Sequence, residues 1–342
     1  MNYILKDENA LFYECGFSCD HAIFLKLGSE AFFITDGRYT TEASEVIRNA
    51  EVLLGDRRDL MKTARLLLRK HHIHSLAYNP SEWSVDEYAR LSDKLSLNFQ
   101  KRHNFSQKKR IIKTETELAI LKQAALYGKE AFDTFATFLK AHGEGLSEKE
   151  AHFQAEAIFK YQGAMELSFS PIVALGANAA KPHALPSSKT LHQGELVLLD
   201  AGVKYERYCS DRTRTSCFDE AFNFEKTQHF SKALHQKVYD TVLKAQEAAL
   251  KAVKVGVKAK EIDKAARDVI DQAGFGAYFV HSTGHGVGLD IHELPVIGAR
   301  SETIIEENMV FTIEPGIYLP DELGVRIEDT IIVREDGAEV MG

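Results

Sequence analysis

The chain repeats itself at an offset of 111 residues, and this repeat constrains the fold more than any other feature. Residues 145–150 overlay residues 256–261, and residues 156–163 overlay residues 267–274. Each half then reads in the same order: helix, glycine, helix, glycine, loop, strand and acid. We therefore expect two similar halves that pack about a pseudo-two-fold axis.

Each half ends in a predicted hairpin that carries two acidic residues. Asp200 and Asp211 belong to the first hairpin, and Glu314 and Glu328 belong to the second. A turn at the midpoint of each pair would place its two acids directly opposite each other across paired strands. Like charges in that arrangement destabilise a sheet unless something neutralises them. The pseudo-two-fold axis would bring both pairs into one four-carboxylate site.

A histidine in a glycine-rich stretch, Gly284-His285-Gly286-Val287-Gly288, lies between the two hairpins. Carboxylates with one imidazole suit a pair of divalent cations, and two close metal ions are a common hydrolase device. Asp200 and Glu314 each follow an apolar run, so they are expected to be partly buried, and buried charges need partners. Because carboxylate-rich sites favour Mn²⁺ over Zn²⁺, we expect two Mn²⁺ ions, with Co²⁺ or Zn²⁺ as alternatives.

Composition excludes several classes of protein. The net charge is −8 and only one short basic run occurs, so no nucleic-acid partner is expected. No run of 18 apolar residues is present, which argues against a membrane span. The N-terminus lacks the basic and apolar regions of a secretory signal. Four cysteines form no Cys-x-x-Cys pair. Together these features predict a cytoplasmic protein with reduced thiols.

The pattern of elements predicts an α+β protein with two domains, at residues 1–108 and 109–342. The first reads as a small α/β domain whose strands lie at 22–27, 31–37 and 75–78 and whose helices lie at 40–50, 59–71 and 86–95. The polar stretch 100–110 is the predicted linker. A capping box at Thr114 and Glu117 starts the second domain's first helix. Three further helices are predicted there, at 148–161, 226–253 and 260–272.

Four segments together resemble the pita-bread metallopeptidases. They are residues 200–215, 281–293, 312–318 and 325–329. The branch they resemble most is the proline-specific one, the Xaa-Pro aminopeptidases and the Xaa-Pro dipeptidases (prolidases). The resemblance is strong over residues 111–342. The N-terminal part resembles that branch's smaller, creatinase-like domain more loosely. A pita-bread catalytic domain with a pseudo-two-fold axis is therefore implied for the second domain.

The resemblance also implies roles for individual residues. Two divalent ions would be bound, with bridging carboxylates and a water between them, by Asp200, Asp211, His285, Glu314 and Glu328. Catalytic roles would fall to Glu314 as the proton shuttle and to His183, His281, His292 and Arg326. The three histidines, His183, His281 and His292, would also contact the substrate, and Arg326 would orient carboxylates.

The implied substrates are Xaa-Pro peptides or dipeptides, and the implied assembly is a homodimer. An Xaa-Pro bond has no N–H, so a dedicated site is needed to cleave it. We expect an Xaa-Pro aminopeptidase first and a dipeptidase as the alternative. A dipeptidase needs a basic residue that closes the far end of the cleft, and Arg38 and Arg300 are candidates. An aminopeptidase needs that end open.

Other functions fit the sequence less well. Removal of an initiator methionine is disfavoured by the additional N-terminal domain and by the surroundings of His183. A non-catalytic binding protein would not need all five ligand residues. The spacing of Gly284, Gly286 and Gly288 is not the dinucleotide fingerprint, which argues against a dehydrogenase. No Gly-x-Ser-x-Gly motif supports a serine hydrolase.

Overall fold

The computed structural model describes residues 1–342, and the chain divides into two units, Met1–Arg110 and Ile111–Gly342. The first unit contains, in chain order, β1 (Tyr3–Leu5), α1 (Glu8–Cys15), β2 (Ala22–Leu27), β3 (Glu30–Thr35), α2 (Thr40–Val46), β4 (Glu51–Leu54), α3 (Leu60–Lys70), β5 (Ser75–Tyr78), α4 (Val85–Ser92), β6 (Asn98–Lys101) and α5 (Phe105–Lys109).

The first unit is built on a six-stranded mixed sheet with the order β4-β3-β2-β1-β5-β6. Alternate residues of its strands point to opposite faces, as strand geometry requires. Phe24 and Phe33 pack into one apolar cluster, and Ile23 and Ile34 pack into another. Helices α1, α2 and α5 contribute to the first cluster, and α3 and α4 contribute to the second. The predicted α/β character of this unit is therefore confirmed.

Two sequence predictions in this unit were wrong. The predicted helix 40–50 ends at Val46, and strand β4 follows it. The predicted linker 100–110 instead contains the end of β6 and all of α5. Phe105 is buried, and its ring lies 5.4 Å from the ring of Tyr3. One aromatic side chain anchors a segment whose composition is otherwise polar, which is why composition alone suggested a linker.

The second unit contains, in chain order, α6 (Glu115–His142), α7 (Glu148–Phe159), β7 (Glu166–Leu167), β8 (Ile172–Leu175), β9 (Leu196–Ala201), β10 (Val203–Tyr205), β11 (Tyr208–Cys209), β12 (Arg212–Cys217), α8 (Ala233–Ala252), α9 (Ala259–Gln272), β13 (Gly284–Gly286), β14 (Glu293–Ile297), β15 (Val310–Ile313), β16 (Gly316–Leu319), β17 (Leu323–Arg326), β18 (Asp329–Arg334) and β19 (Gly337–Val340). The capping box of Thr114 and Glu117 at the start of α6 is confirmed.

The second unit repeats one arrangement of helices and strands. Helices α6 and α7 precede a sheet with the order β12-β9-β8, and α8 and α9 precede one with the order β14-β13-β15-β18-β19. Helix α9 starts at Ala259, 111 positions after the start of α7 at Glu148. Glycines at matching positions adopt positive φ, namely Gly145 with Gly256 and Gly163 with Gly274. Isolated bridges also match, because Ser147 pairs with Thr190 and Lys258 pairs with Ile304. The repeat in the sequence is thus a repeat in the fold.

Helix α8 begins at Ala233, seven residues after the predicted start at residue 226. Side chains of the intervening segment bind to the sheets instead. The Lys226 Nζ lies 2.5 Å from an oxygen of Asp329, and the side chain of Gln228 bonds to that of Ser216. None of the helices combines the length and apolar composition needed to span a bilayer.

A buried ion pair joins the two halves of the second unit. Arg214 on β12 lies 2.5 Å from Asp329 on β18, and both side chains are at most 2% exposed. Gln246 on α8 donates a further hydrogen bond to the same carboxylate. Burial alone would raise the pKa of Asp329, but Arg214 and Lys226 reverse this and hold its pKa well below the usual range. The carboxylate is therefore charged and paired.

We predict that Asp329→Asn destabilises the protein by about 3 to 5 kcal/mol, because it leaves the buried guanidinium of Arg214 without a countercharge. Urea unfolding in the presence of a chelator measures this without a contribution from bound metal. The control is Asp268→Asn, which removes an exposed partner of Lys264 and should change stability by less than about 1 kcal/mol. Equal effects of the two substitutions would contradict a structural role for the buried pair.

Candidate metal centre

The first acid pair lies on one face of its hairpin, but its members are not directly opposed. Thr213, not Asp211, is the cross-strand partner of Asp200. The chain turns at Glu206 and Arg207, one residue beyond the midpoint of the acids, with φ of 45° and 73°. Positive φ at both residues suits the two-residue turn that matches strand twist. The prediction of direct opposition was wrong, and the two acids form a diagonal pair.

The second acid pair has the predicted register. Ile313 pairs with Asp329 on one side of the acids. Gly316 pairs with Arg326 on the other side, and continuing this register places Glu314 opposite Glu328. The two strands reverse direction around Asp321, as the spacing predicts. The two glutamates therefore project from neighbouring strands at one end of the sheet.

Strand β12 of the first half holds the acids of the second half in place. The hydroxyl of Thr213 donates to an oxygen of Glu328 at 2.6 Å and accepts from Nε of Arg326 at 3.0 Å. The backbone N–H of Glu328 donates to the carbonyl of Thr213. Thr215 bonds to the backbone of Arg326 through its hydroxyl. These buried contacts bring the two predicted hairpins together.

Arg326 contacts the acid from the other half of the repeat. Its Nη2 lies 2.5 Å from Oδ2 of Asp200, and its Nη1 donates to the hydroxyl of Tyr318 at 2.8 Å. The side chain is 4% exposed. The sequence suggested that Arg326 orients carboxylates, and the carboxylate it binds is Asp200 and not its neighbour Glu328.

The imidazole of His285 faces the acids through one nitrogen. Its Nδ1 lies 3.1 Å from the carbonyl of Gly286, which can only accept, so Nδ1 carries the proton. Its Nε2 lies 3.6 Å from Asp211 and 3.3 Å from Glu314. A side chain at Gly284 would lie 1.8 Å from the carbonyl oxygen of Thr312, so this position has room only for glycine.

The charges of this cluster are poorly compensated by the protein. Burial and the neighbouring acids raise the pKa values of Asp211 and Glu328 well above the usual range. Burial, followed by the charge of Asp200, raises the pKa of Glu314 to about 8 against the opposing effect of Arg326. Oδ1 of Asp200 is buried without a hydrogen-bond partner. Bound cations would remove each of these deficits.

The residues present therefore fit divalent cations. Asp211, His285 and Glu328 each offer a ligand atom within 4.8 Å of the others. Asp200 and Glu314 lie outside this group of three, but their side chains line the same cavity. Carboxylate oxygens with one imidazole nitrogen form a donor set for hard or borderline divalent ions.

A cavity of about 770 Å³ surrounds the cluster. The four acids and the histidine of the proposed ligand set line it, and so do His183, His281 and His292. The ring of His292 lies 4.3 Å from that of His285. The lining also includes apolar side chains, namely Phe169, Pro171, Ile172, Leu185, Ile291 and Val296. Such a mixture of apolar wall and convergent polar groups is typical of a ligand site.

Sequence reasoning missed two residues of this region. The hydroxyl of Tyr318 connects Arg326 to His281, and the side chain of His152 on α7 lines the cavity. Tyr318 lies four residues after Glu314, in one of the four segments that resemble the pita-bread metallopeptidases, so the sequence could have indicated it. His152 lies on a helix outside those segments, and no local pattern distinguishes it from the other histidines of the chain.

His281 is neutral and fully hydrogen-bonded. Its Nδ1 donates to the carbonyl of Ser282 at 2.7 Å, so its Nε2 accepts from the hydroxyl of Tyr318 at 2.8 Å. Burial and then the charge of Arg326 lower its pKa to about 4. Both nitrogens bind protein atoms, so the expected contact with a substrate can involve only its ring carbons.

We predict that His281 makes the metal-free protein less stable in acid. In the unfolded chain His281 binds a proton below about pH 6.5, whereas in the folded chain it binds one only near pH 4. Stability is thus lost as the pH falls from 7 to 5, by about 2 kcal/mol from this residue. Urea unfolding at both pH values should show a loss smaller by that amount in His281→Asn. The control His229→Asn, at an exposed position, should lose as much stability between the two pH values as the wild type. An unchanged pH dependence in His281→Asn would contradict the assignment.

Comparison with known proteins agrees with this geometry. Residues 119–335 match the model of metallopeptidase family M24, and residues 2–112 match that of the creatinase/prolidase N-terminal domain. The chain is 36% identical over 326 residues to an uncharacterized peptidase of Bacillus subtilis, covering 95% of this chain and 88% of that protein.

Solved structures give the same result over nearly the whole chain. An Xaa-Pro dipeptidase from Bacillus anthracis superimposes with a TM-score of 0.90 at 35% identity, covering 99% of this chain and 92% of that one. An X-Pro aminopeptidase from Thermotoga maritima MSB8 superimposes with a TM-score of 0.86 at 32% identity, covering 99% and 93%. The resemblance seen in the sequence is confirmed, and the chain belongs to metallopeptidase family M24, with a creatinase/prolidase N-terminal domain and a pita-bread domain.

Proposed function

We propose that this protein is a binuclear metal-dependent exopeptidase that hydrolyses the bond between an N-terminal residue and a following proline. The observation that carries the proposal is the convergence of four carboxylates and one imidazole in a cavity lined by four further histidines. Two similar solved structures, an Xaa-Pro dipeptidase and an X-Pro aminopeptidase, support the same substrate class.

The proposed ligands are Asp200, Asp211, His285, Glu314 and Glu328, with Asp211 and Glu328 shared between two ions. When bound, such ions polarise a scissile carbonyl and lower the pKa of a water that attacks it. The carboxylate-rich set favours Mn²⁺, with Co²⁺ and Zn²⁺ as alternatives. The homodimer and the cytoplasmic location stay predictions from the sequence.

Glu314 is the proposed proton shuttle. Its side chain is 15% exposed, and one carboxylate oxygen lies within 3.3 Å of both the Thr312 hydroxyl and Nε2 of His285. A general base must be placed within reach of the water from which it takes a proton. The position of Glu314 in the cavity wall supports this role, in which it would also pass the proton on to the departing nitrogen.

The histidines complete the proposed chemistry. The nitrogen of proline has no proton before the bond breaks, so it must receive one as it leaves. His183 and His292 line the cavity and are the candidates to orient the peptide and to assist this transfer. Arg326, Tyr318 and His281 form a hydrogen-bonded chain behind Asp200, which fixes that carboxylate and the tyrosine hydroxyl.

The charges around the cavity favour a peptide longer than two residues. Arg326 is the only lysine or arginine that lines the cavity, and Asp200 already binds it. The free carboxylate of a dipeptide therefore finds no unpaired lysine or arginine within the cavity itself. An adjoining groove of about 710 Å³ shares His281, Ser282 and Val296 with the cavity and carries Arg300. We therefore favour an Xaa-Pro aminopeptidase over a prolidase restricted to dipeptides.

Asp211→Ala and Glu314→Ala should each lower activity by more than about 100-fold, because each removes a proposed metal ligand. Bound metal should fall in both variants, while circular dichroism should show a folded protein. Glu307→Ala removes an exposed acid of the same unit and should behave as the wild type. Full activity in either ligand variant would refute the site.

The proposed reaction is tested by hydrolysis of three peptides after the chelator-treated protein has been reloaded with Mn²⁺. We expect cleavage of Ala-Pro-Ala and none of Ala-Ala-Ala. Cleavage of Ala-Pro alone would replace the aminopeptidase with the dipeptidase. Metal binding without cleavage of any of the peptides would contradict the proposed function.

A further inference from the structure

One buried carboxylate on helix α7 holds both ends of the loop that carries His183. Glu148 is 0% exposed. It accepts backbone N–H groups from Leu175 and Ser187, each at 2.7 Å, and the hydroxyl of Ser187. It also accepts the side-chain amide of Asn178, which itself donates to the carbonyl of Leu185. Residues 175–187 are thus tied to the helix at their start, at Asn178 and at their end.

A second buried carboxylate performs the equivalent task on helix α9. Asp263 is 0% exposed and accepts the backbone N–H and the hydroxyl of Thr283, at 3.1 Å and 2.9 Å. Its neighbour Arg267 binds this carboxylate and donates to the carbonyls of Phe279 and His281. The segment that contains His281 and leads to His285 is therefore fixed to the helix.

The two anchors occupy related places in the repeat. The offset of 111 places Ala259 at the position of Glu148 and Asp263 at the position of His152. The carboxylate therefore lies one helical turn further along α9 than along α7, on the same face of the helix. Each half of the unit uses one buried helix carboxylate to hold its own active-site loop, although the residues themselves are not conserved between the halves.

We propose that Glu148 and Asp263 are positioning residues, which set the places of the substrate-facing histidine in one half and of the histidine ligand in the other. The inference rests on the proposed function only where its test measures peptide hydrolysis. Four hydrogen-bond donors from Leu175, Asn178 and Ser187 converge on Glu148, and charge-assisted bonds of this kind are stronger than neutral ones. Neither carboxylate lines the cavity, so each acts through the loop that it holds.

Removing Glu148 and removing Asp263 should impair the protein in different ways. The loop held by Glu148 carries His183 and none of the proposed metal ligands. The segment held by Asp263 leads directly to His285, and the carbonyl of Thr283 accepts the backbone N–H of Glu314. Loss of the first anchor should therefore impair turnover and leave metal binding intact. Loss of the second should weaken metal binding as well.

The first test uses Glu148→Gln, which keeps the shape but places an amide against the donors of the loop. We expect kcat/KM for Ala-Pro-Ala to fall by about 10- to 100-fold, with Mn²⁺ stoichiometry and affinity from calorimetry unchanged. Glu150→Gln changes an exposed acid in the first turn of the same helix and should leave both quantities as in the wild type. If Glu148→Gln does not fold, Glu148→Asp, which keeps the charge but shortens the side chain, replaces it.

The second test uses Asp263→Asn, which should weaken Mn²⁺ binding by about 10- to 100-fold in calorimetry of the metal-free protein. Asp268→Asn, at an exposed position of the same helix, is its control. Adding Glu148→Gln to His183→Ala should lower kcat/KM no further, because the anchor acts through the histidine.

Three results would overturn the inference: wild-type turnover in Glu148→Gln, metal loss in Glu148→Gln, or wild-type metal affinity in Asp263→Asn. If the wild type cleaves no Xaa-Pro peptide, the proposed function fails. The difference in metal affinity between Glu148→Gln and Asp263→Asn still decides the positioning roles in that case.

Discussion

Mutual repulsion among four clustered carboxylates, three of them buried, is the constraint on which the catalytic unit depends. Two like charges 4 Å apart repel by about 4 kcal/mol at the effective dielectric of a protein surface, and by more in its interior. The protein supplies one buried arginine, Arg326, against Asp200, Asp211, Glu314 and Glu328. The remaining negative charge needs protons or cations, and the raised pKa values of three of the acids express this need.

The fold resists this repulsion through contacts made away from the cavity. Strand β12 binds the segment from Arg326 to Asp329 through threonine hydroxyls, backbone hydrogen bonds and the buried pair of Arg214 and Asp329. Those contacts join the two halves of the repeat, so neither half alone would contain the complete cluster. Pre-organised charge of this kind is what a metal centre requires, because ligands that are already in place need no reorganisation on binding.

The repeat and the clustering of the proposed ligand residues could be predicted from the sequence because each has a local physical signature. Glycines such as Gly145 and Gly256 are needed where φ is positive, so they mark equivalent turns. The register of the first hairpin could not be predicted, because its turn uses Glu206 and Arg207 in place of the glycine or asparagine that such turns favour. Tertiary contacts of single side chains, such as Phe105 and His152, left no periodic pattern to find.

We propose that the two halves of the repeat together form one site for two neighbouring metal ions. Electron paramagnetic resonance of the chelator-treated protein, titrated with Mn²⁺, tests it most directly. We expect two Mn²⁺ ions to bind per chain and to give the spectrum of a magnetically coupled pair. Binding of a single ion, or two ions that give the six-line signal of isolated Mn²⁺, would contradict it.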